Sequence, residues 1–265
     1  RGDEYLCGQQ AHNYKFEGGG AAVLGSIQPQ PLNNQADGSI LLNDIEAAIK
    51  PDDVHFARTR LLSLENTIGG KVLNQDYLSQ AQSLAFNRGL KIHLDGARVA
   101  NAAVAQGIAI ADITQYFDSV SICLSKGLCA PIGSILLGDE RLIGKATRWR
   151  KMLGGGMRQA GIIAAAAKLA LTEQVDRLAD DHYNAKTLAL LLAEMSEFAV
   201  DVSLVQTNMV FATLAEHIDP KMLTAKLADK GIIISPSRQL RLVTHKDISA
   251  NDISVFVNTL KQIIR

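Results

Sequence analysis

The stretch Leu90-Lys91-Ile92-His93-Leu94 runs straight into Asp95-Gly96-Ala97-Arg98, and Ser119-Val120-Ser121-Ile122-Cys123-Leu124 runs in the same way into Ser125-Lys126-Gly127. Each is a short β-rich run of apolar residues that ends on a polar group and a glycine. Buried parallel strands have this form, because helices cover both faces of such a sheet. In open α/β sheets ligands sit beyond the carboxyl ends of the strands, so Asp95 and Lys126 are predicted to share one rim. Their separation is about that of one βαβ unit, which allows neighbouring strands.

Working outward, further strands are expected at Glu4–Cys7, Ala21–Leu24, Arg60–Leu64 and Ile132–Leu137, alternating with helical patterns, so the fold class is α/β with a mainly parallel sheet. Asn43 with Glu46 can cap one helix, and Asp76 can open another that stops at Gly89. After Gly154-Gly155-Gly156 the pattern changes to long helices, near Met157–Thr172 and Val175–Ser196. A large domain over 1–155 and a second part over 156–265 are therefore expected. The latter ends in a small α+β domain with strands at Met209–Leu214, Ile232–Ser235 and Arg241–Thr244, and with helices opened by Asp219-Pro220 and by Ser249.

Composition narrows the function. The chain has 265 residues, 47% hydrophobic, with 27 basic against 27 acidic side chains, enough for a sizeable core. A formal charge of zero gives no electrostatic reason for a nucleic-acid or anionic-membrane partner. The apolar run Ile162–Leu171 is short and broken by Lys168, so no membrane span is expected. Three cysteines form an odd set that suits cytoplasmic thiols better than a disulfide framework. No Cys-x-x-Cys or His-x-x-x-His metal pattern occurs, nor a P-loop or a Gly-x-Gly-x-x-Gly after a strand.

An amine and a carboxylate on one rim admit two readings. One is a structural ion pair. The other is a lysine that, desolvated in a cleft, forms a Schiff base with an aldehyde cofactor, while the carboxylate keeps the cofactor's ring nitrogen protonated. Pyridoxal phosphate fits the second.

The runs Ala11-His12-Asn13-Tyr14, Leu64-Glu65-Asn66-Thr67, His93-Leu94-Asp95-Gly96-Ala97-Arg98, Leu124-Ser125-Lys126-Gly127 and Gly154-Gly155-Gly156-Met157-Arg158-Gln159 occur in this order. Together they resemble the low-specificity L-threonine aldolases of the β-eliminating lyase/threonine aldolase group, and the resemblance extends to Arg241-Leu242-Val243-Thr244-His245. It implies the aspartate-aminotransferase-like fold, fold type I of the pyridoxal-phosphate enzymes, and a homotetramer or homodimer. It also implies retro-aldol cleavage of L-threonine or L-allo-threonine to glycine and acetaldehyde. By that resemblance Lys126 bonds the cofactor, Asp95 pairs with its ring nitrogen and His12 stacks on the ring. Arg98 and Arg241 hold the amino acid carboxylate, a task suited to the forked guanidinium.

Alternatives stay open residue by residue. Each arginine can serve in an ordinary salt bridge, and His12 as a satisfied polar residue or as the base for the β-hydroxyl proton. Arg158 can reach a phosphate or simply sit in a loop that opens a helix. Two departures from the family pattern stand out. Ile68 occupies the place where the family often has a histidine near the substrate side chain, and the family's N-terminal segment, with the Gly-Thr turn for the cofactor phosphate, has no counterpart before Arg1. The first keeps β-elimination or racemisation open as an alternative activity, and the second suggests N-terminal truncation and an inactive fragment.

Overall fold

The computed structural model describes residues 1–264, which divide into two compact units. The first comprises Arg1–Ile68 and Val72–Val175; the second comprises Gly69–Lys71 and Asp176–Arg265. The triple glycine, where the pattern change suggests a boundary, lies inside the first unit, and the division comes after Val175.

In the first unit the elements run β1 (Asp3–Gly8), α1 (His12–Lys15), α2 (Gly20–Val23), β2 (Gln28–Leu32), α3 (Leu42–Ala48), β3 (Arg58–Glu65), α4 (Gln75–Asn87) and β4 (Lys91–Asp95). They continue through α5 (Val99–Gln106), α6 (Ile110–Thr114), β5 (Ser119–Cys123), β6 (Ser134–Gly138), α7 (Glu140–Met152) and α8 (Gly161–Glu173). One six-stranded sheet results, in the order β2-β1-β3-β4-β5-β6, parallel except for β6. Its inner strands are apolar as expected: Leu6, Leu62 and Leu94 have no exposed surface. Helix α4 turns Leu78, Ala81 and Ala85 inward at helical spacing. Its cap is Asn74, whose side chain accepts from the Tyr77 N–H at 2.8 Å, so the helix starts before Asp76.

Ala21–Leu24 is not a strand. Its residues form α2, and the edge beside β1 is taken by β2, whose residues pair from Glu4↔Gln28 to Gly8↔Leu32. A strand carrying Pro29 and Pro31 is tolerated there because alternation sends both missing N–H groups to the open side of an edge strand.

The second unit consists of α9 (Leu178–Ala193), β7 (Phe198–Ala199), β8 (Met209–Leu214), α10 (Pro220–Ala228), β9 (Gln239–Val243) and α11 (Ala250–Ile264). The three strands form an antiparallel sheet with β8 in the middle. Leu188, Leu192, Val210, Ala212, Leu227, Leu240 and Leu260 build its core. Ser249 and Asp252 exchange capping bonds at the start of α11. Ile232–Ser235 is irregular rather than extended, with Ile233 exposed, because the third strand position is filled by β7. Residues 69–71 belong here through Gly70: its carbonyl accepts from the Thr207 hydroxyl at 2.6 Å. With φ at +79° and Met209 so close that a Cβ would sit 2.8 Å away, Gly70 admits no side chain. No helix among the described residues is long and apolar enough to cross a membrane.

Candidate active site

Four consecutive parallel strands of the first unit send their carboxyl ends to one edge: β1 toward His12, β3 to Glu65, β4 to Asp95 and β5 toward Lys126. Register makes the meeting specific. Glu65 lies opposite Asp95, and Asp95 opposite Ser121, two residues before β5 ends at Cys123 and the chain runs on to Ser125-Lys126. Gly96 locks this edge. Its N–H donates to the Ser121 carbonyl at 2.8 Å, and a Cβ there would fall 2.8 Å from that same oxygen.

Asp95 accepts the N–H of Ala97 at 3.1 Å, a local turn that starts the run into α5 with Arg98 at its cap position. Glu65 accepts the main-chain N–H of His12 at 2.7 Å. Its carboxyl is pushed up to about 7, first by burial and then by the charge of Asp95. The His12 N–H, Arg98 and Lys126 pull the other way. The edge thus brings Asp95, Arg98 and Lys126 within electrostatic reach of Glu65, with His12 tied on through its backbone.

The His12 ring, about half exposed, is held by its Nδ1 at 2.7 Å from Glu17 Oε1 and lies 5.2 Å from the Phe16 ring, which leaves Nε2 as the nitrogen with no carboxylate on it. Behind Asp95, on the same side of β4, His93 is half-buried with Nδ1 2.8 Å from the Ser119 hydroxyl. Burial holds its imidazole below the usual range, so it is neutral at pH 7. Beyond Glu65, the Asn66 Nδ2 and Thr67 Oγ1 atoms are buried with no hydrogen-bond partner among the described residues. Ile68 is buried with its Cγ2 beside Gly38.

Arg158 is exposed in the segment before α8 and makes no hydrogen bond or ion pair to this group among the described residues. Arg241 is exposed on β9 of the second unit. The structure adds Glu65, which sequence inspection treats only as part of a signature. The rule that singles out Asp95, a carboxylate ending an apolar strand, applies equally to Leu62-Ser63-Leu64-Glu65. No group of three or more His, Cys, Asp or Glu side chains that could hold a metal ion occurs among the described residues.

The donor set suits pyridoxal phosphate: an amine, a carboxylate one strand away, an imidazole on the adjoining turn and buried amide and hydroxyl groups without partners. Comparison with known proteins agrees. The family model described as Beta-eliminating lyase matches residues 1–216. The low specificity L-threonine aldolase of Escherichia coli (strain K12) is 51% identical over 254 residues, 96% of this chain and 75% of that protein. Low-specificity L-threonine aldolase 1 of Arabidopsis thaliana is 38% identical, over 99% of this chain and 76% of that protein. Among solved structures, the threonine aldolase of Leishmania major superposes with a TM-score of 0.79 at 21% identity, covering 100% of this chain and 79% of the other. That likeness establishes fold type I.

Proposed function

The chain belongs to the Beta-eliminating lyase family, and from that membership we propose that it is a lyase that cleaves L-threonine and L-allo-threonine to glycine and acetaldehyde, with pyridoxal phosphate carried on Lys126. The observation that supports this most is the shared edge: a lysine, Lys126, beyond one parallel strand and a carboxylate, Asp95, ending the next, in a chain half identical to an L-threonine aldolase. When bound, pyridoxal phosphate supplies an aldehyde for the lysine and an electron sink for the charge left at Cα as the Cα–Cβ bond breaks.

The protein's own residues do the rest. The Lys126 amine anchors the cofactor, and the Asp95 carboxylate, oriented by the Ala97 N–H, holds a proton on the ring nitrogen. Arg98 offers a guanidinium to the substrate carboxylate, and two parallel hydrogen bonds there fix the orientation of the substrate and hence which bond at Cα breaks. His12 is the group for the β-hydroxyl proton: with Glu17 on Nδ1, its Nε2 is the nitrogen left to accept. Exposed apolar residues along 149–162, Trp149, Met152, Leu153, Met157 and Ile162, suit a homo-oligomer, and three free cysteines suit the cytoplasm.

Lys126→Ala tests the proposal. Threonine cleavage, followed by acetaldehyde release, should fall by at least about 10³-fold, with loss of the borohydride-reducible visible band of bound cofactor. Normal cleavage by the variant would overturn it. Pyruvate with ammonia in place of glycine with acetaldehyde would turn the reading to β-elimination.

A further inference from the structure

One group of the edge has no part in the chemistry above. Glu65 ends β3 between the turn that carries His12 and the strand that ends in Asp95. It faces a like charge across the register, and it accepts a bond from a main-chain N–H, that of His12. A carboxylate kept in that place is poorly explained as a packing residue, because an apolar or amide side chain would avoid the repulsion from Asp95.

We propose that Glu65 is a positioning residue of the Lys126 site: its carboxyl holds the turn bearing His12 by accepting the His12 N–H, and its charge sets how strongly the edge binds an anionic cofactor. The inference rests on the reading of Lys126 as the lysine that carries pyridoxal phosphate. The groups that act on Glu65 are the His12 N–H on the turn after β1, Asp95 on β4, Arg98 at the start of α5, and Lys126 after β5; the His12 ring is held by Glu17, and His93 lies on β4 beside Asp95. Burial and Asp95 outweigh the His12 N–H and the two cations, so the carboxyl changes charge at about 7.

Two consequences separate this role from simple packing. Below that pH Glu65 is neutral and equivalent to a glutamine; above it the edge carries one more negative charge, which opposes the phosphate-bearing ligand and stabilises the protonated Lys126 amine. Glutamine also retains an oxygen for the His12 N–H, whereas alanine does not.

The test is a titration of pyridoxal phosphate into the protein, read by the visible band and its reduction with borohydride, across the range about pH 6 to 9, for wild type, Glu65→Gln and Glu65→Ala. Wild type and Glu65→Gln should bind alike below about pH 7, and above it the wild type should weaken by about fivefold relative to Glu65→Gln. Glu65→Ala should bind about tenfold more weakly than Glu65→Gln at every pH, because only the amide rescues the His12 N–H. Parallel curves for wild type and Glu65→Gln, or equal affinity in the alanine and glutamine variants, overturn the proposal. A wild type that forms no reducible band overturns the Lys126 reading and this inference together, whereas a normal band with no dependence on residue 65 overturns this inference alone.

Discussion

The two ends of the central sheet each hold a glutamate, buried at one end and half-buried at the other, and they treat it oppositely. Near the start of β1, Glu4 has no exposed surface and is surrounded by partners. Its Oε2 accepts from Gln28 Nε2 at 2.9 Å, its Oε1 accepts from the Thr59 hydroxyl at 3.0 Å, and Lys50 Nζ stands 3.5 Å away. Gln28 and Thr59 are its register neighbours on the flanking strands. At the other end Glu65 has Asp95 as its register neighbour. One carboxylate is built into the sheet by donors; the other is left beside a like charge, on the edge where strand ends point their polar groups outward. A buried charge ringed by donors belongs to the scaffold, and a half-buried one whose register neighbour is a like charge marks where binding changes the local charge.

The largest effect expected from this contrast is on folding. Glu4→Ala leaves Lys50, Thr59 and Gln28 around an uncompensated hole and should cost about 3–5 kcal/mol in denaturant unfolding. A loss below about 1 kcal/mol would show that the donors around Glu4 contribute nothing and would break the contrast.

Glu65 should respond with the opposite sign and with pH. Its carboxyl ordinarily titrates near 4.5 and is lifted to about 7 in the folded protein, so the folded state binds the proton more tightly than the unfolded one. Stability from this group is therefore complete below about pH 4.5 and declines as the pH rises to about 7, after which the loss is constant, at most about 3 kcal/mol. Glu65→Gln removes the loss. At about pH 8 the variant should be the more stable protein, and near pH 4.5 the two should be alike. Denaturation midpoints at the two pH values check this, and a gap of equal size at both would sink it.

The same contrast explains what the sequence did and did not disclose. Asp95 and Lys126 are legible because each terminates an apolar run next to a glycine, a local pattern. Glu65 also terminates an apolar run, but Asn66 rather than a glycine follows it, and its significance comes from cross-strand register with Asp95 and from the His12 N–H, neither of which is a local property. The prolines of Gln28–Leu32 hide β2, since only an edge position makes them compatible with a strand, while the apolar Ala21–Leu24 looks extended and coils into a single helical turn. The attachment of Gly69–Lys71 to the second unit depends on Thr207 and Met209, far along the chain.

The smallest effect sharpens the account of Glu4. Thr59→Val is nearly isosteric and removes one of the donors to Glu4 Oε1, leaving Gln28 and Lys50 in place. The same hydroxyl oxygen accepts the Lys50 N–H at 3.1 Å, so the variant also strips a partner from the segment after α3. Two modest bonds are lost and no charge is left alone, so unfolding should become easier by about 1–2 kcal/mol, well short of the Glu4→Ala cost. The pH profile of cofactor binding should not move, because the substitution lies at the opposite end of β3 from Glu65. If Thr59→Val cost as much as Glu4→Ala, the hydroxyl alone would hold the buried carboxylate. If it shifted the pH profile, the two ends of the sheet would be coupled, and the division between scaffold charge and site charge would fail.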